Sequence, residues 1–391
     1  MKKSLLALAI IAASTTATAA TVYDKDGTSL AVGGRVQSVV YNGNGGAAVQ
    51  GENGIADHDA GLVNSARLNI EGNTKINDYV SAFAFSEWDM ADGNKTANGD
   101  HISTREQYVG ADLGDFGKLL VGKTYDAANE VLAATDVFED FGARLQGSIN
   151  GDRRTGMFRY VYDNNGFFGS ASYETAADET TVQGEDYDVE GGFALSAGYT
   201  IDDVVFGPLS FKAGYSYVKG QDDFTKTIKV DDDGWSLGSF DTFKIISASI
   251  SWGSTDNGLY IGALYNTQRM KQRSNGFTFD DGVNEPVYGV SNSSFATKVK
   301  GYEFVVGYTF ENGIGAFTGY NLSDVKLKEG SFNKDSAIYR RVPVYVNYAI
   351  NDNFNIWGEA EFDANSTTEK DHQLQGGETG TMLSAGARYT F

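Results

Sequence analysis

The sequence predicts an all-β protein: a sixteen-stranded antiparallel transmembrane β-barrel with an inward-folded third loop. Three observations carry that prediction. The first is the segment Thr381 to Phe391, in which Leu383, Ala385, Ala387, Tyr389 and Phe391 share one face while Ser384, Gly386, Arg388 and Thr390 share the other. Successive strand residues point to opposite sides, so a segment of about ten residues with one greasy and one polar face fits a wall between hydrocarbon and water. The second is that this alternation recurs along the chain, between polar connections that are alternately short and long. The third is an N-terminal export segment.

That segment consists of Lys2 and Lys3, the apolar run Leu5 to Ala13, and small residues ending Ala17-Thr18-Ala19. It has the layout of a secretory signal peptide and is too short to span a bilayer as a helix. Residues 1–19 are therefore expected to be removed, leaving residues 20–391 as one barrel domain. Loss of Lys2 and Lys3 takes the formal charge from −21 to −23, which disfavours nucleic acid as a partner. Cysteine is absent, so no disulfide framework supports the fold. The 48 glycines, 3 prolines and 13% aromatic content suit many strands, tight turns and interfacial rings. The mean hydropathy of −0.32 is compatible with a membrane barrel, because only alternate residues of its strands meet lipid.

Clear alternations are Leu68 and Ile70 against Arg67, Asn69 and Glu71, and Leu209, Phe211, Ala213, Tyr215 and Tyr217 against Ser210, Lys212, Gly214 and Ser216. Two more are Tyr302, Phe304, Val306, Tyr308 and Phe310 against Glu303 and Gly307, and Val342, Val344, Val346, Tyr348 and Ile350 against Arg341 and Asn347. Short turns are expected at residues 76–78, 114–117, 164–166, 202–208, 255–258, 311–313 and 351–353, where Asn, Asp and Gly tolerate positive φ. Alternating with long polar stretches, they divide the chain into about sixteen strands, an even number that closes with both termini on the short-turn side. Closure is a physical requirement, since an unpaired amide in lipid costs several kcal/mol. A soluble sandwich explains neither the export segment nor an apolar row on nearly every strand.

The connection after Lys118 to Thr124 is unlike the others. It mixes Asp126, Glu130, Asp136, Glu139 and Asp140 with Val137, Phe138 and Phe141. Apolar side chains have little use in a solvated outer loop, whereas a loop tucked inside the cylinder packs them on the inner wall and turns its acids to the channel. The cations expected opposite are Arg35, Arg67 and Arg105, on the polar parity of their strands, followed by Arg153, Arg154 and Arg159. Parity favours Arg153 and Arg159, but a one-residue slip exchanges Arg154 for either. Acids facing guanidinium groups across a narrow lumen set up a transverse field that favours polar solutes.

Five stretches then resemble one family. They are Ala20 to Gly27 (ATVYDKDG), the strand holding Ala66-Arg67-Leu68, Val109 to Gly117 (VGADLGDFG), Thr135 to Gly142 (TDVFEDFG), and the terminal Tyr389-Thr390-Phe391. In order and across the whole mature chain they are similar to the general trimeric porins of Gram-negative outer membranes. The resemblance implies a homotrimer in contact with outer-membrane lipids and lipopolysaccharide, without a cofactor. It implies passive diffusion of ions and small hydrophilic solutes past a third loop set against an arginine cluster. Porins are also the standing example of the rule that barrels of this size enclose an aqueous channel. By position, Asp136 and Asp140 match the family's constriction acids, Arg35, Arg67 and Arg105 its basic wall, and Tyr389 and Phe391 its C-terminal assembly signal. One departure stands out: the family usually has Pro before the second acid, and this chain has Glu139.

Other functions are weaker. The three histidines, His58, His101 and His372, lie in polar loop stretches and build no nucleophile–base set, so no enzyme is expected. The runs Asp222-Asp223, Asp231 to Asp233 and Asp280-Asp281 lack calcium-loop spacing, so no metal is expected. A substrate-selective sugar porin would line its lumen with aromatic tracks, for which Tyr41, Tyr345 and Trp357 have inward parity. An adhesin would act through long loops such as residues 268–297. The acidic charge points to a cation-preferring diffusion channel.

Overall fold

The computed structural model describes residues 19–42, 61–92, 102–142, 153–182, 185–221, 230–231, 234–235, 240–272, 277–279, 287–289, 295–329, 332–365 and 380–391. The expected leader, apart from Ala19, the three histidines and the three Asp runs, apart from Asp231, lie outside these residues.

Sixteen strands surround the lumen. In chain order they are β1 Thr28–Tyr41, β2 Gly61–Lys75, β3 Ser81–Asp92, β4 Ser103–Asp112, β5 Lys118–Thr124, β6 Arg154–Asn164, β7 Phe167–Glu174 with its continuation Ala177–Val182, and β8 Glu185–Val204. They continue as β9 Gly207–Gly220, β10 Phe240–Gly253, β11 Gly258–Gln272, β12 Phe295–Thr309, β13 Ile314–Glu329, β14 Phe332–Asn351, β15 Phe354–Asp363 and β16 Met382–Thr390. Neighbours pair antiparallel, and β16 pairs with both β15 and β1, which closes the sheet. The seam has two parts. β16 covers Arg35 to Tyr41 of β1, while the N-terminal segment Ala20–Lys25 covers Thr28 to Val32. Between them Gly34 and Phe391 exchange main-chain hydrogen bonds of 2.8 and 2.9 Å, so no open edge is left at the junction.

The alternation read from the sequence separates the two surroundings. On β8, Phe193, Leu195, Tyr199 and Ile201 are exposed on the outer face while Ala194 and Ser196 are buried inside. On β16, Leu383 and Tyr389 are exposed and Ser384 is buried. The seven short turns fall where expected. Asn165 and Gly166, at φ 53° and 77°, make the turn with two positive-φ residues that matches strand twist. Two polar stretches that read as loops are instead hairpins, because pairing continues up to Val182 with Glu185 and up to Glu329 with Phe332.

Candidate functional site: a loop docked across the lumen

The connection after β5 enters the barrel. Asp126 starts it, its carboxylate accepting from the Ala128 N–H at 2.9 Å, and residues 127–134 form a 3₁₀ coil whose Ala127, Ala128, Val131 and Leu132 are buried. The inner wall is trimmed to receive this coil. A Cβ on Gly214 would lie 2.9 Å from Val131, and one on Gly262 only 2.0 Å from the Ala134 carbonyl oxygen. Ser172 and Tyr260 hold the coil's main chain: Ala127 N–H donates to Ser172 Oγ at 2.9 Å, and the Tyr260 hydroxyl donates to Ala134 O at 2.8 Å. A loop inside a barrel must bond its polar backbone to something other than strands, and these side chains supply that.

The loop tip is held more tightly still. Glu359 of β15 accepts the backbone N–H groups of Glu139, Asp140 and Phe141 at 2.9, 2.8 and 2.7 Å. Phe141 is buried with Tyr41, Val305, Phe317, Tyr345, Trp357 and Met382, and Val137 and Phe138 pack against the same cluster. The apolar residues that marked the loop in the sequence are thus its wall contacts. Gly142, at φ 69°, ends the tip where a Cβ would lie 2.3 Å from the Phe138 ring. Tyr41, Tyr345 and Trp357 lie under the loop, only 5–7% exposed, and offer no open aromatic track.

The expected site residues separate into two sets. Asp136 and Glu139 face the open lumen, among the residues lining a cavity of about 820 Å³ with Arg35, Arg67, Arg105, Arg153 and Arg159. Asp126 and Asp140 do not line it. Asp126 is 1% exposed and holds Arg154 at 3.2 Å and Ser216 at 2.6 Å. The Asp140 carboxylate accepts from Tyr41, Trp357 and Ser384 at 2.7, 2.8 and 2.6 Å, which makes it an anchor against the wall.

The ambiguity among the later arginines has a local cause. Gly156, at φ 73°, sits in a bulge between the pairings Gly122–Met157 and Thr124–Arg154, so residues 154 and 157 both turn inward. Arg154 is then buried between Asp126 and Glu174, the latter at 2.8 Å, and cannot meet a passing solute. Arg153 lines the cavity instead, its guanidinium 4.4 Å above the Tyr125 ring, whose phenol burial holds above its ordinary range and therefore neutral. Arg159 bonds Glu130 at 2.8 Å. Arg105 also reaches the lumen through a bulge, since the pairing shifts between Glu87 and Trp88. It bonds Glu87 at 2.6 Å and Asp89 at 3.2 Å, while Arg67 bonds Asp89 at 2.8 Å.

Glu139, the departure from the family pattern, has its own partner. Arg388 of β16 grips its carboxylate with both terminal nitrogens, donates from Nε to Gln37 at 2.9 Å, and lies 5.1 Å over the Trp357 ring. Arg35 approaches the same carboxylate at 4.0 Å. A second cavity, about 990 Å³ and bordered by the short turns at Asp256, Glu311 and Asp352, shares Arg35, Arg67, Glu139 and Arg388 with the first. Those four residues line both cavities, where the two meet. Sequence parity had put Arg388 on the polar face without linking it to the loop; Glu359 and the inner-wall glycines carried no individual signal.

Residues 5–339 match the family model described as Gram-negative porin. The chain is a Gram-negative porin. Curated relatives include outer membrane porin PhoE of Citrobacter freundii, 26% identical over 90% of this chain and 93% of that protein. Outer membrane porin C of Enterobacter cloacae is 24% identical over 99% of this chain and 98% of that one. Among solved structures, Salmonella typhi OmpF in complex with daunomycin superposes with TM-score 0.69 at 19% identity, covering 95% of this chain and 100% of that one. The trimer form of OmpT from Vibrio cholerae gives 0.62 at 16% identity, covering 94% and 100%. The porin is therefore a channel protein of the outer membrane rather than an enzyme.

Proposed function

We infer that this porin is a non-specific diffusion channel that passes ions and small hydrophilic solutes, with a preference for cations. The observation that carries the reading is the meeting of two wide, polar cavities at a neck of Arg35, Arg67, Glu139 and Arg388. Charge of opposite sign on the two sides of a neck orients dipolar solutes and burdens apolar ones with the loss of water. In this reading Asp136 and Glu139 are the acidic side of the constriction, and Arg35, Arg67, Arg105, Arg153 and Arg388 its basic side. Asp126, Asp140 and Arg154 act by fixing the loop. Along both cavities the acids Glu87, Glu106, Glu130, Asp136, Glu139, Asp256, Glu311 and Asp352 outnumber six arginines, which supports cation preference on the path itself as well as in the −21 total.

The functional unit is proposed to be a homotrimer surrounded by outer-membrane lipid and lipopolysaccharide. An outer-face groove of about 870 Å³ on β1 to β5, floored by Gly72, Ala82, Ala84, Gly110 and Ala111, suits close approach of a neighbouring copy. Residues 1–19 are proposed as the cleaved leader. Tyr389 and Phe391 are proposed as the assembly signal, and they lie at the β16–β1 seam. Single-channel recording of the purified protein in a salt gradient, with sugars added, tests the reading. Three-step closures, current linear in salt and a cation-selective zero-current potential are expected. Saturable block by a sugar would replace it with the substrate-selective porin.

A further inference from the structure

The larger of the two lumen cavities carries an order of charge along its length that a transverse field at the neck does not explain. It runs from Arg35, Arg67 and Arg388 at the neck to Asp256, Glu311 and Asp352 at the short-turn mouth. The three acids sit one apiece on the turns β10–β11, β12–β13 and β14–β15, and all three are exposed. Among the described residues none of their carboxylates has a hydrogen-bonding or ion-pair partner.

The cationic end is open as well. Arg67 and Arg388 are held by Asp89 and Glu139, but the Arg35 guanidinium makes no hydrogen bond among the described residues. Glu139 stands 4.0 Å from it, its Nε is buried without a partner, and its side chain is 12% exposed. A guanidinium so withdrawn from water, with donors unused, favours an anionic acceptor such as a carboxylate.

Between the two ends the lining is uncharged amide. Asn355 lies opposite Arg388 in register and between it and the turn that holds Asp352. Its Nδ2 donates to Asn347 Oδ1 at 2.9 Å, and both residues line the cavity. That bond leaves the pair one amide nitrogen to donate and one amide oxygen to accept, the complement of a peptide group.

The spacing sets the length of what fits. Arg35 stands opposite Thr390, whose N–H donates to Asn353 O at 2.7 Å. Two strand spacings of about 4.8 Å each, about 10 Å together, therefore part Arg35 from the turn carrying Asp352. An extended chain of about three residues spans the same length.

We propose that this cavity is a transient binding site for short zwitterionic peptides of about three residues. The C-terminal carboxylate lies at Arg35, the backbone amides at Asn347 and Asn355, and the ammonium group among Asp256, Glu311 and Asp352. The site rests on the diffusion-channel reading above and adds to it a solute class that the pore holds in one orientation. A neutral solute of the same size gains from neither end, and a singly charged one gains from one end only.

The test is the dwell time of a peptide in the open pore, read as current interruptions and excess noise in single-channel recording of the purified full-length porin in dilute KCl. Trialanine is the probe; N-acetyl-trialanine amide is its neutral form, trialanine amide its cation and N-acetyl-trialanine its anion. Trialanine should dwell about threefold longer than each of the other three, or more, and added salt should shorten its dwell. Asp256→Asn/Glu311→Gln/Asp352→Asn should remove that advantage. Asp24→Asn/Asp26→Asn/Asp115→Asn, which neutralises three exposed acids on the same rim outside the cavity, should keep it at the same change in net charge. Should the first triple variant not insert, Asp352→Asn alone should shorten the trialanine dwell by about 1.5-fold or more. Equal dwell of trialanine and its neutral form in a conducting wild-type pore overturns the proposal and leaves the channel reading standing. A protein that passes no KCl current overturns the channel reading itself, and the site with it. A cation that dwells as long as trialanine makes the mouth a plain cation trap, and an anion that does so makes the neck a plain anion site; either result overturns the proposal.

Discussion

Glu139 and Arg388 offer the sharpest perturbation of the neck, because they are opposite charges in the same place. An ion displaced toward the Glu139 carboxylate as far as the Arg35 guanidinium stands 4.0 Å from it. At that distance in water a unit charge is worth about 1 kcal/mol, or about a fivefold change in local ion concentration. Near 1 M salt the screening length of about 3 Å reduces this to about 0.3 kcal/mol, or about 1.5-fold. Glu139→Gln should therefore lower the cation-to-anion permeability ratio by up to about fivefold in dilute salt. Arg388→Gln should raise it by a similar factor, and the double variant should return near the wild-type ratio. The assay is the zero-current potential across a planar bilayer with a tenfold KCl gradient, repeated in dilute and in concentrated salt. Shifts of the same sign in both single variants, or shifts that do not shrink with salt, would refute the assignment of the neck.

Three further outcomes are expected. Glu359→Ala removes a carboxyl acceptor shared by three backbone N–H groups, each such bond contributing about 0.5–1.5 kcal/mol net, so the loop tip should loosen and single-channel noise should rise. Unchanged noise would place the anchor elsewhere. Gly262→Val sets side-chain atoms where 2.0 Å separates a Cβ from Ala134 O; the loop should be displaced from the wall, and conductance should change while the barrel still folds. Phe391→Ser should leave the main-chain pairing with Gly34 possible but remove the ring from the seam, lowering the yield of folded barrel in assembly assays with detergent or vesicles.

The strands and turns were legible because the membrane writes a period of two into the sequence and tight hairpins require Asn, Asp or Gly. The inward loop was legible for a related reason, since Val137, Phe138 and Phe141 needed a dry surface. What parity could not show was a bulge. Gly156 reverses the register of its strand and so decides between Arg153 and Arg154, and Arg105 faces inward for the same kind of reason. Nor did residue type separate a field-setting acid from an anchoring one. Asp136 and Asp140 look alike in sequence, but the donors that occupy Asp140, on Tyr41, Trp357 and Ser384, are scattered along the chain and meet only in the closed barrel. The pairing of Glu139 with Arg388, from a loop and from the last strand, was hidden for the same reason.

The natural absence of cysteine allows a direct test of the acidic loop inside a water-filled lumen. Asp136→Cys and, on the lipid face, Phe304→Cys are each treated with a membrane-impermeant cationic thiosulfonate during single-channel recording. Reaction at position 136 should lower the current in discrete steps, while Phe304→Cys should conduct unchanged. A reagent that labels position 136 without altering the current would mean that the loop does not stand in the channel.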